Sequence, residues 1–373
     1  MKPNKIHIVA LNVPYPADYG GVIDIFYKIK ALYELGLKIE LHCFQYGRDK
    51  AEKLEEYCES VHYYTRNILW KHLLSTTPFI VKTRSNKELL ENLLKDDAPI
   101  LFEGLHSCYF LNHQQLAKRI KLVRAHNIES DYYQALAKSE SKFLDKLYLY
   151  SEYLKIKKFE KKVAFSDAIL SISQNDYRYF NKLGNSVYIK AFHPDTSIHC
   201  KEGLGDYALY HGNLSVAENE NSALFLIQKV FSKLDFPLVI AGYAPNKKLR
   251  KEVAKHSHIR LVESPEESIL ERMIQKAQMH VLPTMQATGI KLKLLKSLHN
   301  GRHCIVNNEM IAETGLEQIT RLANSPKEWI SKINELEEKA FTQADIQNRK
   351  EVLKEFKSST EAQKIITLIE SLT

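Results

Sequence analysis

Short apolar runs alternate along the chain with segments whose apolar positions recur at helical spacing. The run IHIVAL precedes such a helical segment at residues 22–35, and later runs repeat the arrangement: KIELHCF, PILFEGL, IKLVRAHN, YALYHG, FPLVIAG, IRLVE, MHVLPT and HCIVNN. Continuous apolar strands separated by amphipathic helices are typical of βαβ units, whose parallel sheets are buried on both faces. The pattern therefore predicts an α/β protein with doubly wound parallel sheets.

The alternation is interrupted near residues 192–205, within a stretch, NSVYIKAFHPDTSIHCKEGLGD, that has little periodicity and several turn residues. We therefore predict a first domain over residues 1–198 and a second over 199–345. Residues 346–373 are predicted to be a polar helical tail that packs back toward the first domain. Doubly wound sheets bind ligands at the carboxyl ends of their strands, so two such domains facing each other would line a cleft.

The composition is that of a soluble globular protein, with 373 residues, 44% hydrophobic and 26% charged. No apolar run approaches the roughly 18 residues of a membrane span, and the N-terminal sequence MKPNKIHIVALNV turns polar before a signal peptide could form. Five scattered cysteines without a C-x-x-C pair argue against disulfides and against a zinc site. We expect a cytoplasmic protein with reduced cysteines and no bound metal.

A formal net charge of +8 predicts an anionic partner: nucleic acid, an anionic membrane surface or a phosphorylated small molecule. The chain has no aromatic and basic recognition module of the kind that binds nucleic acid, which argues against that partner. The basic and aromatic segment KFLDKLYLYSEYLKIKKFEKK is compatible with peripheral contact with an anionic membrane. The favoured interpretation is a solvated helix between domains that leads into a buried strand.

Two glycines, Gly20 and Gly21, stand between the first strand and the helix that follows it. Glycines at a helix N-terminus let a ligand approach the backbone amides. The stretch is not G-x-G-x-x-G, so it does not predict a dinucleotide site, and a tight turn is the alternative.

Polar side chains follow two of the predicted strands. Glu103 and His106 come directly after ILF, while His126, Asn127 and Glu129 follow KLVRA. Because the carboxyl ends of parallel strands line the ligand crevice of an α/β domain, these residues are candidates for substrate contact. A structural role in the core is the alternative for each histidine.

The stretch TGIKLKLLKSLHNG places Lys291, Lys293 and Lys296 near the start of a predicted helix. A helix N-terminus carries partial positive charge, so lysines there are unfavourable unless an anion compensates. Lysines beside free amides and Gly289, at the carboxyl edge of a sheet, predict a phosphate or diphosphate site. A solvated lysine face is the alternative.

The ordered set of motifs resembles the GT-B glycosyltransferases, in particular the large retaining group of bacterial nucleotide-sugar enzymes. The motifs that carry the resemblance run through nearly the whole chain: PYPADYGG, FEGLH, HNIESDYY, DAILSISQND, HGNLSVAENENSALFLI, LVIAGYAP, AQMHVLPTMQATGIKLKLLKSL and NGRHCIVNN. The resemblance implies a nucleotide-diphosphate sugar bound mainly by the C-terminal domain. It also implies a glycan or lipid-linked acceptor on the N-terminal domain, and usually no metal or further cofactor.

The resemblance also implies roles for single residues. Gly289, Lys291 and Lys293 would hold the diphosphate, Gly20 and Gly21 would approach it across the cleft, and His106 would contact the transferred sugar. Asn213, in the HGNLS motif, would belong to the donor site. Preorganised cations and amides would stabilise the leaving diphosphate.

One pair of positions departs from the family pattern. Retaining members commonly carry Glu-x7-Glu, whereas those positions here are Thr288 and Lys296. A retaining reaction needs no protein nucleophile, but an inverting one needs a base, for which His106, Glu103 and Asp18 are candidates. The ribose would need another acceptor, such as Glu263 or Glu309. A non-catalytic nucleotide-binding or glycan-binding subunit is the alternative to an enzyme.

Overall fold

The computed structural model describes residues 4–194, 197–285 and 292–373. The chain divides into two compact units, one formed by Met1–Pro194 with Ser358–Thr373 and the other by Asp195–Lys357. The sequence predicted boundaries at 198/199 and 345/346, so the second boundary lies further along the chain than expected. Part of the predicted tail thus belongs to the second unit.

The first unit contains seven strands in one sheet. Its helices and strands are β1 (Lys5–Ala10), α1 (Gly20–Glu34), β2 (Lys38–Gln45), β3 (Ser60–Thr65), α2 (Phe79–Lys82), α3 (Lys87–Leu93), β4 (Ile100–Glu103), β5 (Lys121–Ala125), α4 (Glu129–Ser139), α5 (Phe143–Glu160), β6 (Ala168–Ser171), α6 (Gln174–Phe180) and β7 (Ser186–Tyr188). The strand order is β3-β2-β1-β4-β5-β6-β7, and all the pairs are parallel.

The second unit contains a six-stranded sheet. Its helices and strands are β8 (Ala208–His211), α7 (Ala217–Phe225), β9 (Leu238–Gly242), α8 (Lys247–Val253), β10 (Ile259–Glu263), α9 (Glu267–Lys276), β11 (Met279–Leu282), α10 (Leu292–Asn300), β12 (His303–Val306), α11 (Asn308–Ile311), β13 (Arg321–Leu322), α12 (Pro326–Leu336) and α13 (Gln343–Leu353). The order β10-β9-β8-β11-β12-β13 is again parallel throughout.

Both sheets have the same topology, in which the order reverses beside the first strand of the unit. The reversal falls between β1 and β4 in the first sheet and between β8 and β11 in the second. In open α/β sheets, ligands bind outside the carboxyl ends of the strands at this switch point. A ligand site is therefore expected at the loops that follow these four strands.

The final helix, α14 (Ser358–Leu372), belongs to the core of the first unit. Ala362, Ile365, Ile366 and Ile369 are buried in the same cluster as α1, and Glu361 accepts a hydrogen bond from the Lys190 amide at 2.8 Å. The spacing of these residues by three and four gives the helix a continuous apolar stripe. In the described part of the chain, no helix is long and apolar enough to cross a membrane.

Candidate functional site

Gly104 sits at the switch point of the first sheet, directly after β4. Its φ of 72° lies in the left-handed region, which glycine enters without steric cost. A Cβ atom there would lie 3.2 Å from Leu11 Cδ2, 3.4 Å from His106 Nδ1 and 3.5 Å from His126 Cδ2. The glycine thus lets two of the sequence-predicted histidines approach the same point of the backbone.

His106 lies in the short 3-10 helix Leu105–Phe110 that follows Gly104. Its side chain is 22% exposed, and the nearest carboxylate oxygen is Glu129 Oε1, 3.9 Å from Nδ1. Within the described ranges, Nδ1 has no hydrogen-bond partner. Burial, followed by the electrostatic effects of the neighbouring Arg84 and His126, holds the pKa of His106 well below its ordinary value. His106 is therefore neutral at physiological pH and can accept a proton or a hydrogen bond.

Glu129 begins α4 and is buried, although it faces His106. Burial and the nearby Glu160 raise the pKa of Glu129 to about 8. Glu160, from the end of α5, accepts hydrogen bonds from the Glu129 amide at 2.9 Å and the Ser130 hydroxyl at 2.7 Å. This carboxylate satisfies the free amides at the start of α4, where a negative charge is favourable.

A buried network of charges lies beneath these histidines. Lys28 Nζ bridges Asp24 Oδ2 at 2.9 Å and Glu103 Oε1 at 2.7 Å. Arg124 donates to both oxygens of Asp24, at 2.9 and 3.1 Å, and His126 Nε2 lies 3.0 Å from Glu103 Oε2. The side chains of all five residues are less than a tenth exposed.

The two carboxylates of this network are neutralised by protein cations. Burial alone would raise the pKa of Asp24, but Arg124 and Lys28 hold it below its ordinary value. For Glu103, the opposing effect of burial is likewise outweighed by Lys28 and His126, so its pKa is lowered. Ligand atoms of Asp24, Glu103 and His126 lie within 4.8 Å of one another. Lys28 and Arg124 already supply the positive charge that a metal ion would bring.

The network changes the interpretation of Glu103. This residue was a candidate base, but both of its carboxylate oxygens are buried and engaged, one by Lys28 and one by His126. A base must reach the proton that it abstracts. The geometry therefore gives Glu103 the role of orienting His126 and argues against direct contact with substrate.

The first loop places its candidate residues at the start of α1. Gly20 and Gly21 open the helix, and a Cβ atom at Gly20 would meet no heavy atom within 4 Å. The loop thus leaves open space beside the first amides of α1. Asp18 is exposed and forms an ion pair with Arg48, whose guanidinium also lies 5.1 Å from the centre of the Tyr19 ring.

Gly212 and Gly242 bring two strand ends of the second sheet together. A Cβ atom at Gly242 would lie 1.8 Å from the carbonyl oxygen of Gly212, so only glycine fits at the end of β9. Two residues with positive φ, Ala244 and Ser264, follow β9 and β10 at the same edge. Strained backbone of this kind clusters at functional sites.

Lys293, in the first turn of α10, points to the loop after β8. Its ammonium donates to Asn219 Oδ1 at 2.6 Å and to the Tyr210 hydroxyl at 3.4 Å, and it lies 5.0 Å from the centre of the Tyr210 ring. A Cβ atom at Gly212 would be 3.1 Å from the ammonium. An amide oxygen and a phenol thus contact the ammonium close to Gly212 at the switch point.

Further polar groups connect the loops of this edge. Thr284, after β11, donates its hydroxyl to Glu218 at the start of α7. Asn307, after β12, accepts from the Thr284 amide at 3.0 Å and donates to Glu309 Oε2 at 2.6 Å. Glu309, a possible ribose acceptor from the sequence, thus contacts the loop after β12 through Asn307.

The other predicted residues of the second unit have different surroundings. Asn213 Oδ1 accepts from the amide and hydroxyl of Ser215, so its side chain shapes the loop after β8. Lys296 forms an ion pair with Glu267 of α9, and Glu263 pairs with Arg250 at 2.7 Å. Thr288, Gly289 and Lys291 lie outside the described residues.

The sequence analysis missed several residues that build these sites. Asp24 and Lys28 are spaced as an i,i+4 pair, and Arg124 is a charge inside an apolar strand. These signals mark a buried network, although they do not reveal the contact between the first helix and β5. Asn219 gave no signal, since its contact with Lys293 spans 74 residues.

Comparisons with known proteins agree with this architecture. No protein-family model matches the chain. A Klebsiella pneumoniae protein, described as an uncharacterized 44.6 kDa protein in the cps region, is 29% identical over 316 residues, which cover 79% of this chain and 81% of that protein.

Solved structures of glycosyltransferases superimpose on nearly the whole chain. Sucrose-phosphate synthase from Thermosynechococcus elongatus gives a TM-score of 0.68 at 13% identity, covering 99% of this chain and 98% of its own. S. aureus TarM, solved as a mutant with fondaparinux, alpha-GlcNAc-glycerol and UDP, gives 0.67 at 11% identity and 99% coverage of both chains. Anabaena HepE, solved with UDP and glucose, gives 0.66 at 11% identity, covering 98% of this chain and 99% of its own. The chain has the GT-B fold, as the resemblance implied.

Proposed function

We propose that the chain is a glycosyltransferase that moves a sugar from a nucleotide-diphosphate donor to a glycan or lipid-linked acceptor. The observation that carries this proposal is the position of Lys293. Its ammonium lies beside Gly212 at the switch point of the second sheet, where doubly wound folds bind ligands. A charged group held by an amide oxygen and a phenol offers an attractive site for a diphosphate.

The fold supports the same proposal. The structures of TarM and HepE that resemble this chain were solved with UDP, and the Klebsiella relative comes from a cps region. These similarities are consistent with a nucleotide-sugar donor and with polysaccharide biosynthesis.

For the reaction itself, we propose a cytoplasmic, metal-independent transfer with retention of configuration. Lysines and helix amides would stabilise the developing charge of the leaving diphosphate. Neutral His106, at the switch point of the first sheet, would accept a hydrogen bond from the transferred sugar. If the reaction instead inverts, His106 is a better candidate base than Glu103, whose oxygens are both engaged.

A donor screen followed by a turnover assay tests this function. Nucleoside diphosphates and their sugars should raise the midpoint of thermal unfolding, because a ligand that binds only the folded state stabilises it. The stabilising nucleotide sugar should then be hydrolysed slowly, or transferred once an acceptor is added. Undiminished turnover in excess EDTA is expected, and the anomeric configuration of the product by NMR decides between retention and inversion.

A second candidate function is a non-catalytic subunit that binds a nucleotide or glycan. One observation favours it: Lys296, at a position where retaining relatives carry glutamate, pairs with Glu267 and offers no acceptor for a ribose hydroxyl. Binding of nucleoside diphosphate without hydrolysis or transfer, for every stabilising donor, would support this alternative. Turnover by the purified chain alone would exclude it.

A further inference from the structure

Helix α5 is apolar on two opposite faces. Tyr153, Ile156 and Phe159 point inward and are buried. On the other side, four residues spaced by four, three and four positions share one face, and all are exposed: Phe143, Leu147, Tyr150 and Leu154. A surface helix of a soluble domain normally has one apolar stripe, toward the core, so the outer stripe requires a different explanation.

A second exposed apolar segment lies beside this helix. Trp70 is 77% exposed and Leu74 is 79% exposed, in the 3-10 helix Trp70–Leu74. Lys155 of α5 donates a hydrogen bond to the carbonyl oxygen of Leu73 at 2.7 Å, which joins the two segments. We call the combined surface the α5 patch; its members are Ile68, Leu69, Trp70, Leu73, Leu74, Phe143, Leu144, Leu147, Tyr150 and Leu154.

Two carboxylates of α5 are buried against the protein, whereas most of the lysines of this helix are exposed. Glu152 is buried and accepts a hydrogen bond from the Phe79 amide at 2.7 Å, and Glu160 is buried against the start of α4. Asp131 and Asp145 are exposed, and Glu140 is partly exposed. The exposed cations around the α5 patch outnumber these three carboxylates: Lys71, Lys142, Lys146, Lys157, Lys158, Lys161 and Lys162. An apolar surface with a basic rim results.

We infer that the α5 patch docks the protein onto an anionic lipid bilayer. The exposed leucines, Phe143 and Trp70 would enter the interface between headgroups and acyl chains, while the surrounding lysines would contact lipid phosphates. Large exposed apolar patches mark interaction sites, and the basic rim matches an anionic membrane surface in particular. Because this inference rests on the first unit alone, it stands or falls independently of the proposed activity.

The docking surface is connected to His106 within the first unit. Glu160, at the end of α5, holds the start of α4, and Glu129 at that start lies 3.9 Å from His106. A membrane bound at the α5 patch would therefore lie on the helix pair α4 and α5, whose Glu129 is next to His106. This arrangement suits a lipid-linked acceptor better than a free glycan.

Vesicle flotation of the full chain tests the inference. We expect the protein to float with vesicles of equal parts phosphatidylcholine and phosphatidylglycerol, and to float much less with phosphatidylcholine alone. Added salt should weaken the binding, because screening reduces the attraction between lysines and lipid phosphates. The double variant Trp70→Glu, Leu147→Glu should lose at least tenfold in vesicle affinity. Both side chains are exposed, so folding should be retained.

Matched controls separate the patch from general effects of charge. Leu204→Glu changes an exposed leucine of the second unit and should bind vesicles as the unmodified chain does. Three lysines that border the α5 patch are Lys146, Lys157 and Lys158. Their replacement by glutamate should abolish the preference for anionic lipid. The same change at three exposed lysines of α8 (Lys247, Lys248 and Lys251) should leave it largely intact.

Tryptophan fluorescence gives an independent readout, since the chain has two tryptophans. Trp70 is exposed, whereas Trp329 is 1% exposed in the core of the second unit. Vesicles should shift the emission to shorter wavelength, and brominated lipids should quench the Trp70 component, isolated in a Trp329→Phe variant. Absence of flotation with anionic vesicles, or equal flotation of the Trp70→Glu, Leu147→Glu variant, would overturn the inference. A concentration-dependent dimer without lipid, lost in the same variant, would also overturn it, because the patch would then be an interface between copies.

Discussion

The carboxyl edges of the two sheets both carry charged side chains, but they use them differently. In the first unit, Asp24 and Glu103 are paired with Lys28 and Arg124 in a fully buried network. In the second unit, the Lys293 ammonium contacts an amide oxygen and a phenol close to Gly212. The first arrangement neutralises itself and fixes a scaffold, while the second lies at the switch point where doubly wound folds bind ligands.

The difference shows that charged residues at a ligand-binding edge do not all indicate ligand contact. A buried ion pair is costly to desolvate and is retained only when its partners are fully satisfied. A cation next to a helix N-terminus, in contrast, gains from an external anion. Five substitutions test this contrast, ordered from the largest expected effect to the smallest.

Arg124→Met should lower the free energy of unfolding of the first unit by about 3 to 5 kcal/mol, because it leaves the Asp24 carboxylate buried without its main partner. Denaturant unfolding measures the change, with the two units followed separately since they need not unfold together. A loss below about 1 kcal/mol would contradict a structural role for the buried charge network. An Asp24→Asn, Arg124→Met double variant should recover part of the loss.

Glu129→Gln should remove a pH dependence of stability. With its pKa raised from 4.5 to about 8, this carboxyl binds more protons in the folded state, so its contribution is complete below pH 4.5 and is lost as pH rises through 8. Above pH 8 the variant should therefore be more stable than the original chain, by about 3 to 5 kcal/mol. Unfolding curves at several pH values measure this. The exposed Glu91→Gln is the control, and identical pH profiles for all three proteins would contradict the prediction.

Lys293→Ala should weaken nucleoside diphosphate binding by about 1.5 to 3 kcal/mol, the range for a charge-assisted hydrogen bond. Its stability should change little, because Lys293 is a partly buried residue at the edge of the unit. Isothermal titration calorimetry measures the affinity. An unchanged Kd would remove Lys293 from the donor site and, with it, the contrast between the two edges.

His106→Ala should reduce turnover at least tenfold, which corresponds to about 1.4 kcal/mol, while nucleoside diphosphate affinity stays the same. The residue lies at the switch point of the first sheet, so we expect it to act on the sugar and not on the phosphates. Steady-state kinetics with calorimetry on the same sample separates the two effects. Equal losses of turnover and affinity would indicate a structural role for His106.

Lys296→Ala should change binding of nucleoside and of nucleoside diphosphate by less than about 0.5 kcal/mol. The sequence left two alternatives for this lysine, a diphosphate contact or a solvated surface position, and its ion pair with Glu267 favours the second. The variant is also the matched control for Lys293→Ala, since both lysines lie on α10. A selective loss of diphosphate affinity would restore the first alternative.

Much of the fold could be predicted from the sequence, because buried parallel strands are apolar runs that local patterning reveals. The apolar runs that correspond to β1, β2, β4, β5 and β8 through β12 are all strands in the structure. Strands β3, β7 and β13 could not be recognised from the sequence, because none of them is a continuous apolar run.

The residues at the strand ends could be named from the sequence, but their roles could not. Glu103, His106 and His126 were recognised as neighbours of strand ends, yet only the tertiary structure shows that Glu103 is enclosed by Lys28 and His126. Likewise, Lys293 was named from its helix, while its partner Asn219 is 74 residues away. The alternation of strands and helices is a local property, fixed by which side chains must leave water. Which groups a charged side chain contacts depends on how distant segments come together, and the chain makes those contacts only when it folds.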